Sequence, residues 1–127
     1  MQEKMQGRVL NGLRVLVAED QYLIAEDMRR VVLSLGGEVI GPVGQVSAAA
    51  DLLDGQKPDL ALLDINLHGE MVYDFAEQLR DREVPVIFAT GYGSPDVRSD
   101  FAHAVRLEKP VTAEALAAAV RSLGVAP

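Results

Sequence analysis

Residues 59–69 read DLALLDINLHG, an apolar run, Leu60-Ala61-Leu62-Leu63, that delivers its chain straight into the carboxylate of Asp64. Bounded by Pro58 before it and Gly69 after it, the segment Asp59–Ile65 has the length and composition of a strand buried on both faces. A carboxylate seldom occupies such a place without a partner. Asp64 could simply cap a helix or open a turn, a frequent task for Asp after a strand. The rest of the chain decides whether it does more.

On either side the same alternation repeats. Leu13–Ala18 (LRVLVA) reads as a first strand ending at Glu19-Asp20, and the twelve residues before it read as a loose N-terminal tail, leaving 13–127 as one domain. From Tyr22 to Leu35 the residues Ile24, Met28, Val31, Val32 and Leu35 recur at helical spacing until Gly36-Gly37 stops them. Glu38–Val43 is a second strand, and Ser47 starts a short helix to about Leu53. Beyond Asp64, Glu70–Arg80 carries Met71, Phe75 and Leu79 at steps of four, which predicts a third helix with Met71 and Phe75 in the core. Val84–Ala89 is a fourth strand, Pro95–Ala104 a weak fourth helix, Val105–Leu107 a short fifth strand, and Thr112 caps a fifth helix over Ala113–Leu123 that ends at Gly124. Strands separated by helices of crossover length predict an α/β protein, a flavodoxin-like (βα)5 doubly wound five-stranded parallel sheet of order 2-1-3-4-5.

Composition narrows the function. The chain of 127 residues has no cysteine, so thiol chemistry, zinc ribbons and disulfides are excluded, and a reducing, cytoplasmic setting is expected. His68 and His103 are its two histidines, too few for a zinc site, and read as an exposed loop residue and a helix-surface residue. Twelve Lys and Arg against nineteen Asp and Glu leave a net charge of -7, which repels phosphate backbones and anionic lipid. Direct nucleic-acid or membrane binding is not expected. No apolar stretch approaches the roughly 18 residues of a membrane span.

The predicted topology brings strand ends together at one edge of the sheet, where ligands bind in such folds. Glu19-Asp20, Asp64, Thr90 and Lys109 all fall at those ends. Three carboxylates in a partly dry cleft repel one another, and a divalent cation relieves the conflict. Few hard oxygen ligands with room for water and phosphate suit Mg²⁺, the set being Glu19, Asp20, Asp64 and the backbone carbonyl of Asn66. An ionised Asp beside Mg²⁺ is also a nucleophile for phosphoryl transfer, and the resulting acyl phosphate needs a counter-charge, Lys109, and a small hydroxyl, Thr90.

VLVAED at 15–20, LALLDINL at 60–67, FATG at 88–91 and EKP at 108–110 resemble, in order and spacing, the receiver domain of two-component response regulators, from about Leu13 to Leu123. The resemblance implies a phosphoacceptor signalling domain rather than an enzyme, catalysing only its own phosphorylation and dephosphorylation. Asp64 would take a phosphoryl group from a phosphohistidine on a sensor histidine kinase or histidine phosphotransfer protein. Asp20, Asp64 and the Asn66 carbonyl would bind Mg²⁺, Glu19 would help through water, and Thr90 and Lys109 would contact the phosphate. PVIFATGY at 85–92 further resembles the FAT GUY group of mostly stand-alone receivers, some of which act in general stress signalling, although Gly93 stands where that signature ends in Tyr. A downstream protein partner is implied, and a homodimer through the fourth helix, fifth strand and fifth helix is one arrangement the resemblance allows.

Two departures bear on the switch. Arg106 stands where receivers carry Tyr or Phe three residues before the Lys, so Tyr92, two beyond Thr90, is the substitute aromatic reporter expected here. Leu67-His68-Gly69 replaces the Met-Pro that usually follows the acceptor Asp, which predicts a differently shaped loop. In receivers the Lys-Pro bond, here Lys109-Pro110, is often cis. Two rival functions stand beside this one. An Asp-nucleophile phosphatase would want a second acid where Asn66 lies. A degenerate receiver acting as a phosphorylation-independent scaffold is favoured by Arg106 and disfavoured by the intact acids and Lys109.

Overall fold

The computed structural model describes residues 8–91 and 97–125. In chain order they form β1 (Arg14–Ala18), α1 (Tyr22–Ser34), β2 (Glu38–Val43), α2 (Val46–Asp51), β3 (Leu60–Asp64), β4 (Asn66–Leu67), β5 (Glu70–Met71), α3 (Tyr73–Asp81), β6 (Val86–Thr90), β7 (Val105–Glu108) and α4 (Ala113–Leu123), with a 3₁₀ turn at Ser99–Phe101. The main sheet has five strands in the order β2-β1-β3-β6-β7, every neighbouring pair parallel, and β4 with β5 forms a separate antiparallel ribbon. This is the predicted order 2-1-3-4-5 with the ribbon added after the third strand.

Strand alternation explains why both faces are covered. Val15 and Val17 of β1, Leu60 and Leu62 of β3, and Ile87 and Ala89 of β6 pack in one cluster with Met28 and Val32 of α1 and Leu116, Ala117 and Val120 of α4. Leu16, Ala18, Ala61, Leu63 and Phe88 point the other way, onto Ala49 of α2 and Phe75, Ala76 and Leu79 of α3. Successive side chains of a strand emerge on opposite faces, so a run apolar at every position needs a layer of helices on each side. The apolar run of β3 is therefore what makes this a three-layer protein.

The helix ends follow their local chemistry. Gly36 has φ +90, and the N–H groups of Gly36 and Gly37 donate to the carbonyls of Leu33 and Val32, the Schellman pattern that satisfies the last turn of α1. Thr112 Oγ1 accepts from Ala115 N at 3.1 Å to cap α4, and Gly124 closes it at φ +72.

Several expectations need correction. The third helix begins at Tyr73, because His68 (φ 52) and Gly69 (φ 84) make a two-residue turn that pairs Asn66-Leu67 with Glu70-Met71. Met71 is consequently 46% exposed rather than core, whereas Phe75 is buried. Residues 97–104, the described part of the expected fourth helix, contain only the 3₁₀ turn, and the exposed His103 lies in the turn that follows rather than on a helix. The segment is held instead by side chains: buried Phe101 stacks on Tyr73 at 5.9 Å, and Arg98 donates its N–H to the Tyr73 hydroxyl at 3.1 Å. Residues 8–12 are not loose, since Leu10 is fully buried and its N–H donates to the Leu35 carbonyl at 2.9 Å.

Candidate functional site

The register of the sheet brings the strand ends abreast: Ala18 lies opposite Leu63, Asp64 opposite Ala89, and Thr90 opposite Glu108. Each strand then contributes its next polar residue to the same rim. One oxygen from each of Glu19, Asp20 and Asp64 lies within 4.8 Å of the others. Lys109 Nζ enters between two of them, 2.8 Å from Glu19 Oε1 and 3.1 Å from Asp64 Oδ2. Its own N–H donates to the Thr90 carbonyl at 2.7 Å, and its bond to Pro110 is cis, as the resemblance implies.

Burial divides the acids. Glu19 is 2% exposed, and Asp20 and Asp64 are half-buried at the mouth. Burial pushes the Glu19 carboxyl above its ordinary value, opposed by the Lys109 ammonium and the Gln21 N–H. Burial acts on Asp20 too, yet the N–H of His68, 2.8 Å from Oδ2, helps hold it below the usual value. For Lys109, desolvation is outweighed by hydrogen bonds to Glu19 and Asp64, and its pKa is raised. With all three acids ionised, three negative charges face one ammonium, a net of −2, the amount a divalent cation neutralises. The donor set is all oxygen, which suits a hard cation such as Mg²⁺, so the residues present fit that ion.

The remaining expected residues fall as follows. Thr90 closes β6 on this rim, half-buried. Asn66 donates its N–H to Asp64 Oδ1 at 3.3 Å, and its side-chain oxygen accepts from Gly69 N at 2.7 Å, tying the ribbon to the acceptor residue. Arg106 is exposed on β7, opposite Phe88 in register. Tyr92 lies outside the described residues. Sequence reasoning placed His68 near the cleft but missed its grip on Asp20; the signal was the pair His68-Gly69 between Leu67 and Glu70, a two-residue hairpin loop.

Beside Lys109, an open cavity of about 280 Å³ is lined by Ile24, Asp27, Met28, Pro110 and Val111. Tyr22 and Leu23, at the start of α1, are 79% and 76% exposed. Among the described residues no helix is long and apolar enough to cross a membrane.

Comparison with known proteins agrees with this geometry. PdtaR, a transcriptional regulatory protein of Mycobacterium tuberculosis, is 29% identical over 85 residues, which is 66% of this chain and 42% of PdtaR. The chain thus spans less than half the length of that relative. The solution structure of SdrG from Sphingomonas melonis Fr1 superposes with a TM-score of 0.80 at 34% identity, covering 92% of this chain and 98% of SdrG. A mutant of the anti-anti-sigma factor PhyR from Bartonella quintana superposes with a TM-score of 0.79 at 25% identity, covering 97% of this chain and 54% of that one. Residues 15–121 match the response regulator receiver domain as a family, so a chain whose strand ends gather these acids and this lysine belongs to the receiver domains of response regulators.

Proposed function

We propose that this chain is a stand-alone receiver in which Asp64 accepts a phosphoryl group from a phosphohistidine, with Mg²⁺ as cofactor, and thereby changes which protein it binds. The observation that carries the reading is Lys109 Nζ, held 3.1 Å from Asp64 Oδ2 at the mouth of an acidic cluster. In the transfer a carboxylate oxygen of Asp64 bonds to phosphorus, the phosphorus–nitrogen bond of the donor breaks, and the imidazole leaves with a proton from solvent. When bound, Mg²⁺ supplies charge neutralisation for the phosphoryl oxygens, through Asp20, Asp64 and the Asn66 carbonyl, with Glu19 acting through water. Lys109 is already aimed at the acceptor oxygen and follows the transferred charge. Thr90, at the end of the neighbouring strand, offers its hydroxyl to the same phosphate.

The donor is a sensor histidine kinase or a histidine phosphotransfer protein, and the exposed Tyr22 and Leu23, which precede Ile24 of the apolar cavity at Pro110 and Val111, give it a surface to meet. Similarity to a protein described as the anti-anti-sigma factor PhyR supports a protein as the downstream partner, as does the net charge of -7, which disfavours nucleic acid. The stand-alone reading rests on the 98% coverage of SdrG, and the absence of cysteine supports a cytoplasmic setting. Tyr92 serves as reporter in place of the aromatic that Arg106 replaces.

Incubation with a phosphodonor and Mg²⁺, followed by intact-mass measurement, tests the proposal. We expect the mass of one phosphoryl group to be added, and the addition to be lost with chelator or in Asp64→Asn. An unchanged wild-type mass with several donors would favour a phosphorylation-independent scaffold, the reading that Arg106, exposed on β7, keeps in view.

A further inference from the structure

The turn at 67–70 does something that the Met-Pro of other receivers is chemically unable to do. Proline has no N–H and its φ is locked near −65°, whereas His68 sits at φ 52 and gives its N–H to Asp20 Oδ2 at 2.8 Å. The turn is thereby clamped over a member of the acidic cluster. The clamp also carries the imidazole to the site: Nδ1 lies 4.0 Å from Asp20 Oδ2, and Nε2 lies 3.7 Å from the point that a Cβ on Gly44 would occupy. The ring is therefore laid across Asp20 with one nitrogen facing the carboxylate, and its side chain stays 60% exposed at the mouth. Gly44 leaves room for it. The imidazole thus meets the acidic cluster at Asp20.

We propose that the imidazole of His68 is a direct nitrogen ligand of the cation held by Asp20 and Asp64, and that it turns an all-oxygen site into a mixed one that prefers Mn²⁺ to Mg²⁺. The inference rests on the acidic cluster being a cation site, as proposed above. A neutral imidazole suits the transition metals, while Mg²⁺ keeps to oxygen donors and to water, so an added nitrogen selects between the two ions rather than tightening both. His68 is in this sense a specificity-determining residue: phosphoryl acceptance needs a divalent cation, and His68 sets which one the site fills with first.

The test uses the whole chain, free of metal and of phosphodonor, in buffer alkaline enough to keep an ordinary imidazole neutral. His68→Asn is the informative variant, because Asn-Gly is a favoured type I′ pair that retains both the turn and the N–H and removes only the imidazole. Calorimetric titration should show Mn²⁺ affinity falling about tenfold in His68→Asn, with Mg²⁺ affinity changing by less than about twofold. Pulsed EPR of bound Mn²⁺ should show ¹⁴N coupling in the wild type and in His103→Asn, and none in His68→Asn. Absence of nitrogen coupling in the wild type, or an equal fall for both ions, overturns the role of His68 while leaving Mg²⁺-dependent phosphorylation standing. Failure of the wild type to bind either ion overturns the cation site itself, and the role of His68 with it.

Discussion

Lys109 and Glu19, ninety positions apart in sequence, meet at 2.8 Å, with the Glu19 side chain fully buried and that of Lys109 only 14% exposed. A buried carboxylate next to two others is costly unless a cation stands beside it, and Lys109 is the cation that the chain itself provides. Its removal leaves Glu19 and Asp64 uncompensated. Lys109→Met is expected to lower stability by about 3 kcal/mol in urea unfolding, and Glu19→Gln in the same chain should recover much of the loss by removing the orphaned charge. Equal stability of Lys109→Met and wild type would mean that the pair contributes nothing.

The same contact sets a pH dependence in the metal-free protein. The folded pKa of Lys109 is raised above 10.5, so the stability it contributes is fully present below that value and is lost as pH rises through the folded pKa. Glu19 acts in the other sense. Its folded pKa is raised above 4.5, the folded state holds the proton more tightly, and stability falls as pH climbs from 4.5 through the folded value. Asp20, lowered below 3.8, contributes stability present above 3.8 and lost as pH falls through its folded pKa. Carbon-detected NMR titration should find the adjacent Glu19 and Asp20 titrating in opposite directions from their ordinary values. A common midpoint for the two would contradict the division of burial between them.

What could be read in advance, and what could not, follows from the range of the forces involved. The apolar run at 60–63, bounded by Pro58 and Gly69, has the length and composition of a doubly covered strand, and Thr112 and Gly124 mark both ends of α4 by local chemistry alone. The convergence of Glu19, Asp20, Asp64 and Lys109 follows from topology once the strand order is known. The start of α3 was hidden because Met71, Phe75 and Leu79 keep helical spacing while His68, an uncommon residue at positive φ, turns the chain into a ribbon first. Residues 97–104 misled for a different reason: Arg98 and Phe101 are anchored by Tyr73, a contact between elements that no local pattern announces. Leu10 likewise reaches the core only because α1 ends beside it.

That anchor is itself testable. The Arg98 guanidinium lies 5.0 Å from the Tyr73 ring centroid, pairs with Glu77 and Asp100, and its backbone N–H depends on the Tyr73 hydroxyl. Tyr73→Phe keeps the ring against Phe88 and Phe101 and deletes only the acceptor. We expect a loss of about 1 kcal/mol in global stability, with faster amide hydrogen exchange concentrated at Arg98 and its neighbours. Exchange unchanged at Arg98 would show that the side-chain ion pairs alone hold the segment.

The acidic cluster makes opposite predictions for the protein with and without a cation. In the absence of metal, three carboxylates outnumber the single lysine, so Asp64→Asn removes repulsion and should leave the protein as stable as the wild type or more so. With Mg²⁺ at ten times its dissociation constant, the wild type should gain about 1.4 kcal/mol by linkage, since only the folded state assembles the site. Asp64→Asn lacks a ligand charge and should gain little at the same concentration, so that the order of the two proteins' stabilities reverses as Mg²⁺ is added. Urea unfolding of both proteins across a Mg²⁺ series measures this directly. Parallel curves, with the two proteins stabilised equally, would place the cation somewhere other than at Asp64.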